Sequence, residues 1–169
     1  MSTVAFVALG SNLAHPRRQI ARAVAALARL PRTRIVALSP NYMTAPLACD
    51  VDQPDYVNAV VALRTSLAPR ALLAHLQAIE RAQGRERGPA RLRNAPRTLD
   101  LDLLLFGRRQ MRLPQLTIPH PRMHERAFVL MPLRDIAPAA TIPGRGLARL
   151  QRRALRDQRI ARTRSHCSK

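Results

Sequence analysis

The sequence predicts an α+β fold: a ferredoxin-like split β-α-β sandwich with an antiparallel sheet and additional C-terminal elements. Three observations predict it. Short apolar runs of strand length alternate with two longer stretches of helical period, in the order β-α-β-β-α-β. The 169 residues suit one hydrophobic core. No internal repeat and no linker-like stretch divides them, so residues 1–146 are expected to form one domain. An Arg-rich segment, residues 147–169, follows as a helical or partly disordered tail.

Thr3 to Leu9 is short, apolar and closed by the turn-forming Gly10-Ser11-Asn12, as befits a buried strand. Pro16 fits the first turn of a helix, where its missing N–H costs nothing. Ile20, Val24 and Leu27 fall on one helical face, and Pro31 stops the run. Arg34 to Tyr42 reads as a second strand and Tyr56 to Leu63 as a third, with an acidic loop, Asp50 to Asp55, between them. Ser66 is the expected N-cap of a helix over Pro69 to Gln83, which buries Leu72, Leu76 and Ile79 and ends at Gly84. Arg85 to Arg97 has no period, five arginines and two prolines, and reads as a loop facing something anionic. Leu99 to Phe106 is a strong strand turned by Gly107, with Gln110 to Leu113 as its hairpin partner. Pro119 and Pro121 hold the next stretch extended. Glu125 to Leu133 then reads as helix, and an amphipathic helix is expected from about Leu147.

Charge is the unusual property. Against 10 acidic residues stand 29 basic ones, a net +19, and every basic residue except Lys169 is arginine. Such a field attracts phosphates, nucleic acid or anionic lipid; a genome rich in Arg and Ala codons produces the same composition. No apolar run approaches the roughly 20 residues of a bilayer span, and Met1 leads straight into a strand rather than a signal peptide. Cys49 and Cys167 make neither a disulfide framework nor a zinc site, so a reducing cytoplasm is the expected location.

The chemistry concentrates in Asp100-Leu101-Asp102. Carboxylates at i and i+2 of a strand share a face, about 7 Å apart, while Leu99, Leu101 and Leu103 face the core. Each charge raises the pKa of the other unless something compensates. Mg²⁺ does so, because it favours one or two carboxylates together with phosphate oxygens. An edge strand with a solvated face would carry the same residues without a metal. Arg85, Arg87, Arg91, Arg93 and Arg97 precede the pair within one loop, and guanidinium groups bind phosphates bidentately. No P-loop motif occurs, and Gly144-Arg145-Gly146 is only a turn-like Gly-x-Gly. His120 is held rigidly between Pro119 and Pro121.

These residues fall within a longer pattern that resembles the 6-hydroxymethyl-7,8-dihydropterin pyrophosphokinase family from about Val4 to Pro143. The blocks come in the family's order: Ala8-Leu9-Gly10-Ser11-Asn12-Leu13; Tyr42 to Leu47; Asp52 to Ala59; Gln77-x-x-Glu80 through Gly84-Arg85. Then follow Arg93 to Leu104, as Arg-x-Ala-Pro-Arg-x-x-Asp-Leu-Asp-Leu-Leu, and Pro119-His120-Pro121-Arg122-Met123-x-x-Arg126-x-Phe128. The resemblance implies transfer of pyrophosphate from ATP to the hydroxymethyl group of the pterin, giving AMP and the pterin diphosphate. It implies Asp100 and Asp102 as holders of two Mg²⁺ ions, and Arg85 and Arg97 as stabilisers of the transferring group. It implies Gln77, Glu80, Arg87, Leu103, Thr117, His120 and Arg126 on the ATP side. Thr44, Pro46, Leu47 and Asn58 would bind the pterin's edge, and Tyr56 and Phe128 its two faces.

The chain departs from the family where other members carry a loop tryptophan, two residues before the signature proline; here Asn94 stands there, followed by Ala95. Loop closure is therefore the feature least supported by the resemblance. The competing reading is an RNA-binding module on the same fold, drawing on the basic surface. It needs paired aromatics on a strand, and a chain with no Trp, two Tyr and three Phe places none there. A monomer acting on small molecules, with no membrane and no specific nucleic-acid partner, is the expectation.

Overall fold

The computed structural model describes residues 1–46, 53–85, 96–144 and 158–163. Its elements are β1 (Thr3–Ser11), α1 (Pro16–Ala28), β2 (Thr33–Leu38), β3 (Tyr42–Thr44) and β4 (Tyr56–Thr65). They continue with α2 (Pro69–Ala82), β5 (Asp100–Phe106), β6 (Met111–Leu113), β7 (Leu116–Ile118), α3 (Ala127–Ile136) and β8 (Ile160–Arg162). An antiparallel sheet runs β5-β1-β4-β3-β8. The ten-residue β4 pairs with β1 on one side; on the other, its first residues pair with β3 and its last with β2.

Both faces of the sheet are covered. On one, Ile20, Ala23 and Leu27 of α1 and Leu72, Leu76 and Ile79 of α2 pack on Val7, Leu9, Val61 and Leu63. On the other, Val129, Leu130 and Leu133 of α3 pack on Ala8, Val60 and Leu104. Strict alternation along β5 would send Leu105 to the first core, but a register shift opposite Phe6/Val7 gives both Leu104 and Leu105 to the α3 side and returns Phe106 to the other. The α3 face is the one that matters for the site, because α3 covers only part of it.

Four local expectations are corrected. The expected second strand is two, since Pro40 donates no hydrogen bond and Ser39 diverts the ladder, with its Oγ accepting from Val60 N at 2.9 Å. Ser66 does not cap α2; Ala68 holds that position, and Ser66 Oγ accepts from Arg32 Nε at 3.1 Å. β6 pairs with β7 rather than with β5, because Pro114-Gln115 closes a tighter hairpin. Finally, residues 160–162, expected within a C-terminal helix, form strand β8 on the exposed edge of β3. The rest of that tail, residues 145–157 and 164–169, lies outside the described residues. Tyr42 OH donates to Asp135 Oδ2 at 2.6 Å, tying β3 to α3; burial and the Asp135 charge push the phenol up to about 12. No helix among the described residues is long and apolar enough to cross a membrane.

Candidate active site

Three central strands bring the chemistry together. Gly10 of β1 is in register with Asn58 of β4 on one side and Asp100 of β5 on the other; Ala8 is likewise opposite Asp102. Residues directly opposite share a face, so the sheet's α3 face carries an amide and two carboxylates in one patch. Gly10 is required by close approach: a Cβ there would lie 3.2 Å from Asn58 Oδ1 and 4.0 Å from Asp100 Cβ. A side chain would fill the gap between amide and carboxylate. A cavity opens over this patch, lined by Thr44, Tyr56, Asn58, Arg97, Asp100, Asp102, Arg126 and Phe128, with Ala8, Leu9, Gly10, Ala45 and Arg122 completing its walls.

The two aspartates differ in their surroundings. Asp100 is gripped by two guanidinium groups, Arg85 Nη1 at Oδ1 and Arg97 Nη1 at Oδ2, the latter at 2.5 Å. Burial works against its ionised form, but Arg97 and Arg85 outweigh that and hold its carboxyl below the usual range. Among the described residues Asp102 has only weak partners, Arg126 Nη1 at 3.4 Å and His120 Nε2 at 3.8 Å from Oδ2. Burial and the charge of Asp100 push its carboxyl up to about 6, against the pull of Arg126. This excess negative charge is what a divalent cation would relieve. Two hard oxygen ligands with space beside them suit Mg²⁺, which takes its other ligands from water or phosphate. Among the described residues no group of three or more His, Cys, Asp or Glu side chains is placed to hold a metal ion, so phosphate and water would supply the rest.

His120 is neutral at physiological pH, since burial and Arg126 lower its pKa to about 4. Its Nδ1 accepts from Arg122 N at 3.3 Å, which leaves the ring proton on Nε2, the atom nearest Asp102. It therefore presents a neutral N–H donor to the cavity region.

Glu80 is fully buried and belongs to the supporting structure: its carboxylate pairs with Arg85, and its Oε1 accepts from Leu101 N at 2.8 Å. Leu103 packs into the α1–α2 core. Gln77 lies elsewhere, in a second cavity between α2 and the β6–β7 hairpin, with Arg70, Leu113 and Gln115. Thr117 is on β7 of the same hairpin. Pro46 follows Ala45 at the cavity wall, whereas Leu47, Arg87 and the Asn94-Ala95 pair lie outside the described residues.

Sequence reasoning missed Asn12. Its Oδ1 accepts from Arg97 N at 2.8 Å, and its Nδ2 donates to Gln53 Oε1 at 2.8 Å and to Pro54 O at 3.2 Å. Tyr56 OH donates to the same Gln53 oxygen at 3.2 Å. One buried amide thus fixes the backbone of Arg97 and, through Gln53, the ring of Tyr56. Two sequence signals touched it without assigning it a role: it closes a turn cluster after β1, which is ordinary turn chemistry, and it falls in the Ala8 to Leu13 block of the family pattern. The base-stacking alternative finds no support, because Phe6 and Phe106 pack into the two cores instead of lining a strand surface.

Comparison with known proteins gives a consistent picture. Residues 6–138 match the sequence family described as 7,8-dihydro-6-hydroxymethylpterin-pyrophosphokinase. A 2-amino-4-hydroxy-6-hydroxymethyldihydropteridine pyrophosphokinase of Pseudomonas aeruginosa is 57% identical over 146 residues, covering 86% of this chain and 88% of that protein. The enzyme of the same name from Haemophilus influenzae is 47% identical over 140 residues, covering 82% and 84%. Among solved structures, the wild-type HPPK-DHPS of Plasmodium falciparum with pteroate aligns over 94% of this chain with a TM-score of 0.69 at 14% identity. That likeness concerns the fold, and this chain spans only 45% of that larger one.

Proposed function

The chain belongs to the 7,8-dihydro-6-hydroxymethylpterin-pyrophosphokinase family, and we propose that the cavity over Gly10 is where it carries pyrophosphate from ATP to the hydroxymethyl group of 6-hydroxymethyl-7,8-dihydropterin, giving AMP and the pterin diphosphate. The observation that carries this reading is the register Asn58–Gly10–Asp100. It sets a group suited to the edge of a heterocycle across a single intervening strand, β1, from a carboxylate suited to phosphate-bound metal. We read the strand order β5-β1-β4, with β2 beyond, as the ferredoxin-like split β-α-β arrangement. We take the chain to act as a monomer in the cytoplasm, with residues 1–146 as the pterin- and ATP-binding domain.

In the pterin half, Asn58 Nδ2 donates to Thr44 Oγ1 at 2.8 Å, which fixes the amide's orientation and keeps its Oδ1 over Gly10. That oxygen accepts from the pterin's N–H edge on the side of Pro46, and Leu47 is assigned to the same edge by its place in the family's Tyr-x-Thr-x-Pro-Leu block. Tyr56 and Phe128 hold the ring between them. Arg126, its guanidinium 5.5 Å from the Phe128 ring centroid, links the aromatic wall to Asp102. In the phosphate half, Arg85 and Arg97 neutralise the transferring group, and His120 Nε2 and Arg126 donate to triphosphate oxygens; Arg87 is assigned to the ATP side by the sequence pattern alone. Glu80 acts by holding Arg85. Gln77 and Thr117, with the backbone of Leu103, serve the nucleoside side. Two Mg²⁺ ions, held by Asp100 and Asp102 with phosphate oxygens, would neutralise charge on the triphosphate when bound. Transfer of this kind leaves the protein mainly positioning and charge stabilisation to perform.

This division is tested by Asn58→Ala, which removes an edge contact without touching the phosphate half. Its KM for the pterin is expected to rise about tenfold, the usual cost of an unpaired polar group at a substrate edge, while KM for ATP stays within about twofold. An equal rise for both substrates, or no rise for the pterin, would remove Asn58 from the pterin site.

A further inference from the structure

Segment 158–163 lies beyond the residues matched by the family, 6–138, yet it touches both walls of the cavity. On one side β8 is hydrogen-bonded to β3 in the register Tyr42–Arg162, Met43–Ala161 and Thr44–Ile160, so the strand carrying Thr44 is an inner strand here. Thr163 ends the pairing, with its N and Oγ1 donating to Asn41 O at 2.9 and 3.1 Å. On the other side Gln158 straddles the start of α3. Its Oε1 accepts from Ala127 N at 2.8 Å and its Nε2 donates to Glu125 O at 2.5 Å.

Those two backbone groups bracket Arg126, and Phe128 is the next residue but one. The first N–H groups of a helix have no partner within it, and the residue at the cap position of α3, Arg126, makes no side-chain cap bond. Gln158 supplies that cap from a distant part of the chain. Its amide fixes the direction in which α3 begins, and hence where Arg126 and Phe128 project. Ile160, two residues on, packs into the same core as Phe128 and Val129.

We propose that Gln158–Thr163 is a strap across the pterin cavity and that Gln158 is a positioning residue for the reaction, acting through Arg126 and Phe128. This rests on the reading of the cavity given above. Without the cap, the start of α3 is free to sample other directions, and binding must select the fraction of molecules in which both side chains face the cavity. The loss therefore falls on KM more than on kcat.

The test uses the full chain carrying Gln158→Ala, with Arg126→Ala, Phe128→Ala and the combined variants as references. Two hydrogen bonds lost at a partly exposed site correspond to a rise of about fivefold in KM, for the pterin through Phe128 and for ATP through Arg126. In the Arg126→Ala/Phe128→Ala background the same change should add less than about twofold, because residues that act through one another are not additive. Gln158→Asn, one methylene shorter, carries the same test in milder form with a rise of about twofold. Wild-type KM values for Gln158→Ala, while Arg126→Ala and Phe128→Ala each raise theirs, would overturn the strap and leave the cavity reading standing. A fivefold rise that persists in the combined background would overturn it as well. Unchanged KM values in all three single variants would overturn the cavity reading, and the strap with it.

Discussion

Asp102→Asn is expected to lower kcat at least a hundredfold while leaving the metal-free protein as stable as the wild type, or more so. Both halves follow from the surroundings of one carboxylate. Its partners are distant, at 3.4 and 3.8 Å, and burial beside Asp100 pushes its carboxyl up to about 6. A group whose folded pKa is raised favours folding below its unfolded pKa and loses that contribution as pH rises through the folded value. With chelator present, wild-type stability should therefore fall relative to Asp102→Asn between about pH 4 and pH 6. Activity moves the opposite way, since the amide takes away a charged oxygen ligand; losing one such element of charge stabilisation costs roughly 10²–10³ in rate. Melting in EDTA and turnover with Mg-ATP separate the two effects. Near-normal turnover would remove Asp102 from the metal site, and a large drop in stability would show that its carboxylate is structurally satisfied.

Glu80→Ala should have the largest effect on stability. The side chain is fully buried and its carboxylate serves both Arg85 and the N–H of Leu101. Removing one partner of a buried pair costs about 3–5 kcal/mol. Arg85 keeps Asp100 as a second partner, so the lower end applies, about 3 kcal/mol. For a chain of this size that lowers Tm by roughly 10 °C. Below the melting transition kcat should also fall by about tenfold, because Arg85 loses one of the two carboxylates that fix its guanidinium. A direct role at the nucleotide predicts a different pattern, with unchanged Tm and a raised KM for ATP, so thermal melting together with ATP saturation distinguishes them.

Much of this was legible in the sequence because it is local. The Asp-Leu-Asp alternation puts the carboxylates on one face and Leu99, Leu101 and Leu103 in the core, where they are. Pro16 and Gly84 mark the ends of α1 and α2 as their chemistry requires, Gly84 with φ of 81°. What was not legible depends on partners far along the chain. Ile160–Arg162 has no strand period of its own and becomes β8 only because β3 offers an edge. The amides of Asn12 and Gln158 look like ordinary turn and tail residues until folding delivers Arg97 to one and the start of α3 to the other. Glu80 stood on a helix pattern that said nothing of its burial beneath Arg85. In each case the missing information is a contact with a residue far along the chain, for Glu80 the N–H of Leu101.

The most direct test is AMP release from Mg-ATP by the wild-type chain, with and without 6-hydroxymethyl-7,8-dihydropterin, followed by chromatography of the nucleotides. AMP formed one-for-one with the pterin diphosphate, absent without pterin and abolished by chelation, is the predicted result. Formation of ADP, or AMP release indifferent to the pterin, would contradict an account in which Asn58 and Asp100 bring the two substrates into one cavity.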